Sequence, residues 1–168
     1  RTVIVVDTTP PVITIFGDSP VTVEKGSSYV EAGATADGGE TVDITGSVDT
    51  STVGTYTIDY VAIDEAGNLG FATRTVIVVD TTPPVITIFG DNPVTVEQGS
   101  TYNELGATAD GGETVTTSGT VDESTIGEYT ITYSATDSAG NTGTATRTVN
   151  VVDTTPPVIT IFGDNPVT

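Results

Sequence analysis

The sequence contains no cysteine, histidine, methionine or tryptophan, and only four of its 168 residues are Lys or Arg. The lack of Cys and His excludes disulfide bonds, thiol and imidazole nucleophiles, and zinc sites built from those ligands. With 23 Asp and Glu the formal net charge is −19, so the chain lacks the basic surface that binds nucleic acid or anionic lipid. No run of 18 apolar residues occurs and residues 1–7 do not have the layout of a signal peptide, so we expect no direct membrane insertion. The natural partners of such a chain are cations.

An internal repeat of 73 residues organises the sequence. The string VVDTTPPVITIFGD occurs at residues 5–18, 78–91 and 151–164, and residues 8–80 align without a gap on residues 81–153 with 54 identities in 73 positions. We therefore predict two whole repeats cut from a longer tandem array.

The predicted boundaries follow from this period. Residues 8–80 form repeat 1 and residues 81–153 form repeat 2. Residues 1–7 correspond to the C-terminal strand of a preceding repeat, and residues 154–168 to the N-terminal strand of a following one. The linker Thr-Thr-Pro-Pro is stiff because each proline fixes its own φ and restricts the residue before it, which predicts an extended rod.

Short alternating segments separated by Gly, Pro, Asp and Asn predict an all-β sandwich for each repeat. In repeat 1 the predicted strands A, A′, B, C, E, F and G cover residues 12–16, 21–24, 31–36, 42–45, 48–53, 55–64 and 69–79. Alternation in strand F predicts that Tyr56, Ile58, Tyr60 and Ala62 point into the core.

Several motifs carry a resemblance to a known family. The opening PPVITI at residues 10–15, the centre GTYTI at residues 54–58 with AGN at residues 66–68, and the close TRTV at residues 73–76 followed by VVD resemble the bacterial surface Ig-like repeats. Such repeats occur in tandem in giant adhesins and in pesticidal-crystal-type proteins. The resemblance covers the whole chain and implies tandem Ig-like Greek-key sandwiches. It also implies an extracellular extender or stalk module without catalysis.

Acidic residues are predicted to gather at the domain junctions, because the incoming linker and the loops after strands B and F share one end of a Greek-key sandwich. The first junction has Asp7, Asp37, Glu40, Asp64 and Asn68, and the second has Asp80, Asp110, Glu113, Asp137 and Asn141. Five side chains with oxygen donors suit Ca²⁺, so we predict that calcium stiffens each junction. Each residue taken singly is also a good turn former, through Asx hydrogen bonds and neighbouring glycines, and that alternative stays open.

The outward faces of strands F and G differ between the repeats. Repeat 1 has Val61, Ile63, Leu69, Phe71 and Ile77 where repeat 2 has Ser134, Thr136, Thr142, Thr144 and Asn150. All five differences are from apolar to polar, which predicts an apolar contact patch on repeat 1. The alternative is that β-branched and aromatic residues merely favour strands.

No motif for catalysis is present. Paired carboxylates need a cleft to work as acid and base, which a small solid sandwich does not offer, and no base is available to activate Ser or Thr. We therefore predict a structural extender, stalk or fibre-forming segment of a secreted bacterial cell-surface protein. Its partners are neighbouring repeats of the same chain and other copies, laterally or head to tail. The alternatives are a glycan- or protein-binding Ig-like module and an accessory domain of a larger secreted hydrolase.

Overall fold

A computed structural model describes residues 1–163 of the protein. The regular secondary structure of these residues consists of β-strands. Contacts divide the chain into two units, Arg1–Thr81 and Thr82–Thr168. Within the described residues, no helix has the length and apolar character needed to cross a membrane.

Unit 1 is formed by two sheets. Its strands are β1 (Ile13–Ile15), β2 (Val21–Glu24), β3 (Ala34–Ala36), β4 (Val42–Thr45), β5 (Gly54–Ile63) and β6 (Leu69–Val79). One sheet pairs β1 with β3, and the other has the order β2-β6-β5-β4, in which β2 runs parallel to β6. The first strand segment of the chain thus contributes to both sheets, changing over at residues 17–20, as in Ig-like sandwiches.

Unit 2 repeats this architecture in the 73-residue register. Its strands are β7 (Ile86–Ile88), β8 (Val94–Glu97), β9 (Ala107–Ala109), β10 (Thr116–Ser118), β11 (Gly127–Thr136) and β12 (Thr142–Val152). The sheets are β7-β9 and β10-β11-β12-β8. The prediction of all-β, tandem Ig-like sandwiches is confirmed.

The core lies between the two sheets of each unit and follows the predicted alternation. In unit 1, Ile58, Tyr60 and Val76 form the buried cluster, with Tyr60 and Val76 fully buried. Their equivalents Ile131, Tyr133 and Val149 form the cluster of unit 2. Aliphatic and tyrosine side chains on the inward faces of two long strands therefore supply most of the burial.

The predicted E strand at residues 48–53 is wrong, because this segment forms a turn. Asp49 Oδ1 accepts hydrogen bonds from Ser51 N at 3.0 Å and Ser51 Oγ at 2.6 Å, so the local side chain takes the place of a strand partner. Tyr56 Oη donates to Thr52 O at 2.9 Å, a tyrosine corner that fixes the turn before β5.

Two predicted strands are shorter than expected. The predicted B strand at residues 31–36 is reduced to Ala34–Ala36, because the Glu31 carboxylate accepts a hydrogen bond from Gly33 N at 2.8 Å, and the predicted A strand at residues 12–16 is reduced to Ile13–Ile15. Residues 1–7, predicted as the last strand of a preceding repeat, contain no strand. Of the strand predicted at residues 154–168, residues 154–163 contain none, and residues 164–168 lie outside the described residues.

Candidate functional site

A cavity of about 280 Å³ in unit 1 brings together four of the five residues predicted at the first junction. Its lining is Asp7, Thr9, Pro10, Pro11, Asp37, Gly38, Glu40 and Asp64. The fifth predicted residue, Asn68, lies beside it, since its Nδ2 donates to Asp64 Oδ2 at 2.8 Å. The topology places these residues at one end of the sandwich, where β1 and β6 begin and β3 and β5 end.

Two aspartates of this cavity hold the backbone in place. Asp37 follows β3, and its Oδ1 accepts from Val12 N at 2.9 Å while its own N–H donates to Val12 O at 3.1 Å. Asp64 follows β5 and accepts from Asn68 N at 2.8 Å. The hydrogen bonds from Asn68 lower the pKa of the Asp64 carboxyl, so this group is a stable anion at the cavity.

Glu40 differs from these aspartates because its Oε2 atom is buried and has no hydrogen-bond partner. Its carboxylate lies over Gly38, where a Cβ would come within 2.1 Å of Glu40 Oε1, so a larger residue at position 38 would displace it. Within residues 1–163, no three acidic groups are close enough together to hold a metal ion as they stand. The arrangement is an acidic cavity whose aspartates form turns, not a preassembled metal cage.

The equivalent residues of unit 2 have the same local roles. Asp110 Oδ1 accepts from Val85 N at 2.9 Å, and Asp137 Oδ2 accepts from Asn141 Nδ2 at 2.9 Å. Glu113 Oε2 is again buried without a hydrogen-bond partner. The unpartnered glutamate oxygen is therefore a repeated feature of the fold.

Asp80, predicted as a calcium ligand of the second junction, contacts a lysine of its own unit. Its Oδ2 lies 3.0 Å from Lys25 Nζ. Lys25, one of only four Lys and Arg residues in the sequence, was not predicted to contact Asp80. Repeat 2 has Gln98 at the equivalent position, so this ion pair belongs to repeat 1 alone.

The chain leaving each sandwich is held by a glutamate at the end of its parallel edge strand. Glu24 accepts from Thr81 N and Thr81 Oγ1, each at 2.8 Å. Glu97 accepts from Thr154 N at 2.8 Å and Thr154 Oγ1 at 2.7 Å. The hydrogen bonds from Thr154 lower the pKa of the Glu97 carboxyl, so the bond acceptor stays ionised. The sequence analysis missed this contact, because it joins residues 57 apart.

The chain entering each sandwich is held against a glycine of the last strand. A Cβ at Gly70 would lie 2.1 Å from Pro11 O, and one at Gly143 would lie 1.9 Å from Pro84 O. Only glycine permits this close approach of the linker. The linker residues at both ends of a repeat are therefore part of its packed structure.

The structure brings together four of the five residues predicted as a contact patch. Val61 lies opposite Phe71, and Ile63 lies opposite Leu69, on the outer face of the β5–β6 pair. Phe71, Ile63 and Leu69 are 69%, 57% and 48% exposed. Ile77 pairs instead with Thr55, so it lies on the same face but is separated from the other four along β6 and is not adjacent to them.

A buried arginine in each repeat was not predicted as a structural or functional residue. Arg74 and Arg147 are 2% and 1% exposed, in phase with the inward residues of β6 and β12. Arg74 Nε donates to Tyr60 Oη at 3.0 Å and lies 3.2 Å from Glu31 Oε2, and its other nitrogens donate to Phe16 O and Asp18 O. The alternation that placed Val76 and Val78 in the core also indicates that Arg74 points inward.

The partners of Arg74 form one network of ionisable groups. Burial alone would raise the pKa of Glu31, but hydrogen bonds from Tyr29 and Tyr60 and the charge of Arg74 lower it on balance. Burial and the hydrogen bond to Glu31 raise the pKa of Tyr29 to about 12. The network therefore contains one cation, one anion and two neutral phenols at neutral pH.

These features define a class of protein, namely tandem Ig-like sandwiches. Each sandwich packs against the linkers at its two ends, and an acidic cavity in unit 1 lies where the linker enters the sandwich. A model of the family described as "Bacterial surface protein, Ig-like domain" matches residues 13–78 and 86–151. The chain belongs to this family.

Two of the relatives are hyalin from a sea urchin and an adhesin from a staphylococcus. Hyalin of Strongylocentrotus purpuratus is 39% identical over 184 residues, which covers 95% of the chain and 15% of hyalin. The "Serine-rich adhesin for platelets" of Staphylococcus aureus strain MRSA252 is 34% identical over 138 residues, which covers 70% of the chain and 10% of the adhesin. The chain thus spans a small part of each relative. Among solved structures, a lipoprotein of Bacteroides thetaiotaomicron matches 83% of the chain and 79% of its own at 22% identity, with a TM-score of 0.39.

Proposed function

We propose that the chain is a non-catalytic extender segment of an extracellular, adhesin-like bacterial surface protein. The observation that carries this proposal is that each repeat binds the chain that enters it and the chain that leaves it. Thr81 is hydrogen-bonded to Glu24 of unit 1, whereas Pro84 and Val85 pack on Gly143 and Asp110 of unit 2.

Residues 82–83 connect these two sets of contacts. Pro83 has a fixed φ and restricts Thr82, so little rotational freedom is left in the linker. A linker with little rotational freedom is what a stalk requires.

The proposal is tested by measuring the distribution of distances between spin labels placed at Ser51 and Ser124, one in the turn before the long hairpin of each unit. We expect a narrow distribution in the parent chain and a broad one in Glu24→Ala. Glu97→Ala is the matched control, because it removes the same contact from the linker that follows unit 2. A distribution already broad in the parent chain contradicts the extender function.

The second part of the proposal is that calcium binds in the acidic cavity of unit 1, where the linker enters the sandwich. The cavity is lined by four carboxylates, and the buried, unpartnered Oε2 of Glu40 recurs in Glu113. A Ca²⁺ ion would supply the partner that these oxygens lack, and backbone carbonyls and water complete its six to eight ligands. Because no three acidic groups among residues 1–163 are close enough to hold a metal, binding must draw the carboxylates together. The free energy needed to bring these negative charges together weakens binding. We therefore expect a Kd of about 10⁻⁴ to 10⁻³ M, as in other extracellular modules.

Calorimetric titration with CaCl₂ tests this part. We expect Glu40→Gln with Glu113→Gln to abolish the heat of binding, because each change removes a charge without removing a hydrogen bond of the fold. Asp49→Asn, in a turn outside the cavity, should leave the titration unchanged. If the parent chain gives no heat, the acidic residues serve only as turn formers.

A further inference from the structure

The outer faces of the two four-stranded sheets differ in their chemistry. In unit 1, the apolar residues of β5 and β6 share this face with two exposed carboxylates. Asp43 lies opposite Val61 across the β4–β5 pair, and Asp59 comes two residues before Val61 on the same side of β5. We define the apolar-acidic face of unit 1 as six neighbouring residues: Asp43, Asp59, Val61, Ile63, Leu69 and Phe71.

In unit 2, the six equivalent residues all have hydroxyl groups. Thr116, Ser134 and Thr144 form a row across β10, β11 and β12, and Thr136 lies opposite Thr142. We define the hydroxyl face of unit 2 as Thr116, Thr132, Ser134, Thr136, Thr142 and Thr144. These six residues are uncharged in a chain whose formal net charge is −19, so a contact made through them reduces the repulsion between two acidic chains.

The apolar-acidic face sets two requirements for a partner. Phe71 and Ile63 are 69% and 57% exposed, so covering them with apolar groups is favourable. The same contact removes water from Asp43 and Asp59, and an ionised carboxylate out of water needs a cation or hydrogen-bond donors. The partner must therefore combine apolar groups with donors.

A second copy does not meet these requirements with its own apolar-acidic face. Two such faces would bring four carboxylates together, two from each copy, and these groups repel one another. The chain has few cations to neutralise them, since Arg74 and Arg147 are buried and Lys25 lies 3.0 Å from Asp80.

The hydroxyl face meets both requirements. Threonine has a methyl group that packs on an apolar side chain and a hydroxyl group that donates to a carboxylate. Part of this face also keeps its own hydrogen bonds when water leaves. Thr136 Oγ1 lies 2.9 Å from Thr142 Oγ1, and Thr116 Oγ1 donates to Ser134 O at 3.1 Å. These bonds lower the cost of removing water from the face.

We infer that the apolar-acidic face of unit 1 docks on the hydroxyl face of unit 2 in a second copy of the chain. The hydroxyl groups of Thr132, Ser134 and Thr144 then donate to Asp43 and Asp59. The contact joins two different surfaces, so it can continue from copy to copy. This inference does not depend on the extender function.

The size of the faces predicts a weak contact. Three strands about 4.8 Å apart, with about ten residues each at about 3.3 Å per residue, cover about 480 Å². One partner in a standard interface buries about 800 Å². We therefore expect a Kd of about 1 mM for a single contact.

The test is a set of amide NMR dilution series of the 168-residue chain in EDTA, at concentrations on either side of the expected Kd. In the parent chain we expect concentration-dependent shifts on both faces. V61S/I63T/L69T/F71T installs residues of repeat 2 in unit 1, and T116D/T132D installs the carboxylates of repeat 1 in unit 2. Each variant should weaken self-association at least about tenfold. Because each variant keeps one intact face, a mixture of the two should regain binding, with shifts on those intact faces.

The matched control is T101D/T108D, which adds the same charge to unit 2 outside the hydroxyl face. Thr108 is an exposed residue of β9 in the other sheet, and Thr101 is exposed in the segment before β9. This variant should keep the Kd of the parent chain. An equal weakening by T101D/T108D and T116D/T132D would mean that net charge alone controls the association.

Other results would also overturn the inference. Spectra of the parent chain that do not change on dilution would show that the two faces do not meet. Self-association of T116D/T132D equal to that of the parent chain would identify a contact between two unit 1 faces, and association that appears only with CaCl₂ would identify carboxylates bridged by an ion. A mixture of the two variants that does not regain binding would show that the two faces are not partners.

Discussion

Replacing Arg74 with methionine removes the cation at the centre of the unit 1 network and keeps a side chain of similar length. The change leaves Phe16 O and Asp18 O without their donor and leaves the Glu31 carboxylate without its cation. Breaking a buried ion pair from one side typically costs about 3–5 kcal/mol. The Glu31 side chain is 19% exposed, so water compensates part of the loss and we expect about 3 kcal/mol.

Two matched variants separate this cost from a general effect of losing a positive charge. Lys25→Met breaks the ion pair with Asp80, but Lys25 is 43% exposed, so we expect less than about 1 kcal/mol. Arg147→Met removes the equivalent arginine of unit 2, whose Nε is unpaired and whose ion pair is longer. Its cost should therefore lie below that of Arg74→Met.

Urea unfolding followed by the amide resonances of each repeat gives both free energies of unfolding in one experiment. An Arg74→Met cost as small as that of Lys25→Met would show that the network adds no net stability. An equal cost for Arg74→Met and Arg147→Met would show that the hydrogen bonds that differ between the two repeats are energetically irrelevant.

Three further predictions follow from the contacts. Because the pKa of Glu31 is lowered below the ordinary value of a glutamate, the stability that this carboxylate contributes is complete above the ordinary pKa and is lost as the pH falls through the folded-state pKa. Melting curves should show a loss of stability in acid that Glu31→Gln reduces. Gly70→Ala places a Cβ on Pro11 O and should destabilise unit 1 by more than about 2 kcal/mol in urea unfolding, while a stability unchanged from the parent chain would disprove close packing of the linker. Ile63→Thr with Phe71→Thr should weaken a concentration-dependent self-association measured by sedimentation, since each buried apolar side chain contributes about 1.5–3 kcal/mol; unaltered sedimentation would show that the patch makes no contact.

Alternation and turn composition were sufficient to predict the long strands. The predicted strand at residues 69–79 has the same bounds as β6, because its inward positions, apart from the buried Arg74, are apolar or small and its outward positions suit a strand. The same rule failed at residues 48–53, where Asp49 bonds to Ser51 and the backbone turns. Local hydrogen bonds of this kind compete with strand pairing. The alternation of apolar residues in the sequence does not reveal them.

The candidate site could be predicted only at the level of loops. Topology indicated that the linker and two loops share one end of the sandwich, and Asp37, Glu40 and Asp64 do line one cavity there. Side-chain direction was not predictable, because it depends on distant partners. Asp80 contacts Lys25, which is 55 residues away and has no counterpart in repeat 2.

The parallel pairing of β2 with β6 has a consequence for a chain under tension. Val21 lies beside Val76 and Val23 beside Val78, so β2, the second strand of the repeat, is bonded to the strand that ends it. A pull on the two ends of a repeat drags parallel neighbours past each other along their own axes. All the bonds between β2 and β6 are then loaded in shear and must break together, instead of one after another as when a hairpin is peeled open. A repeat built in this way resists stretching more strongly than its small core alone would allow.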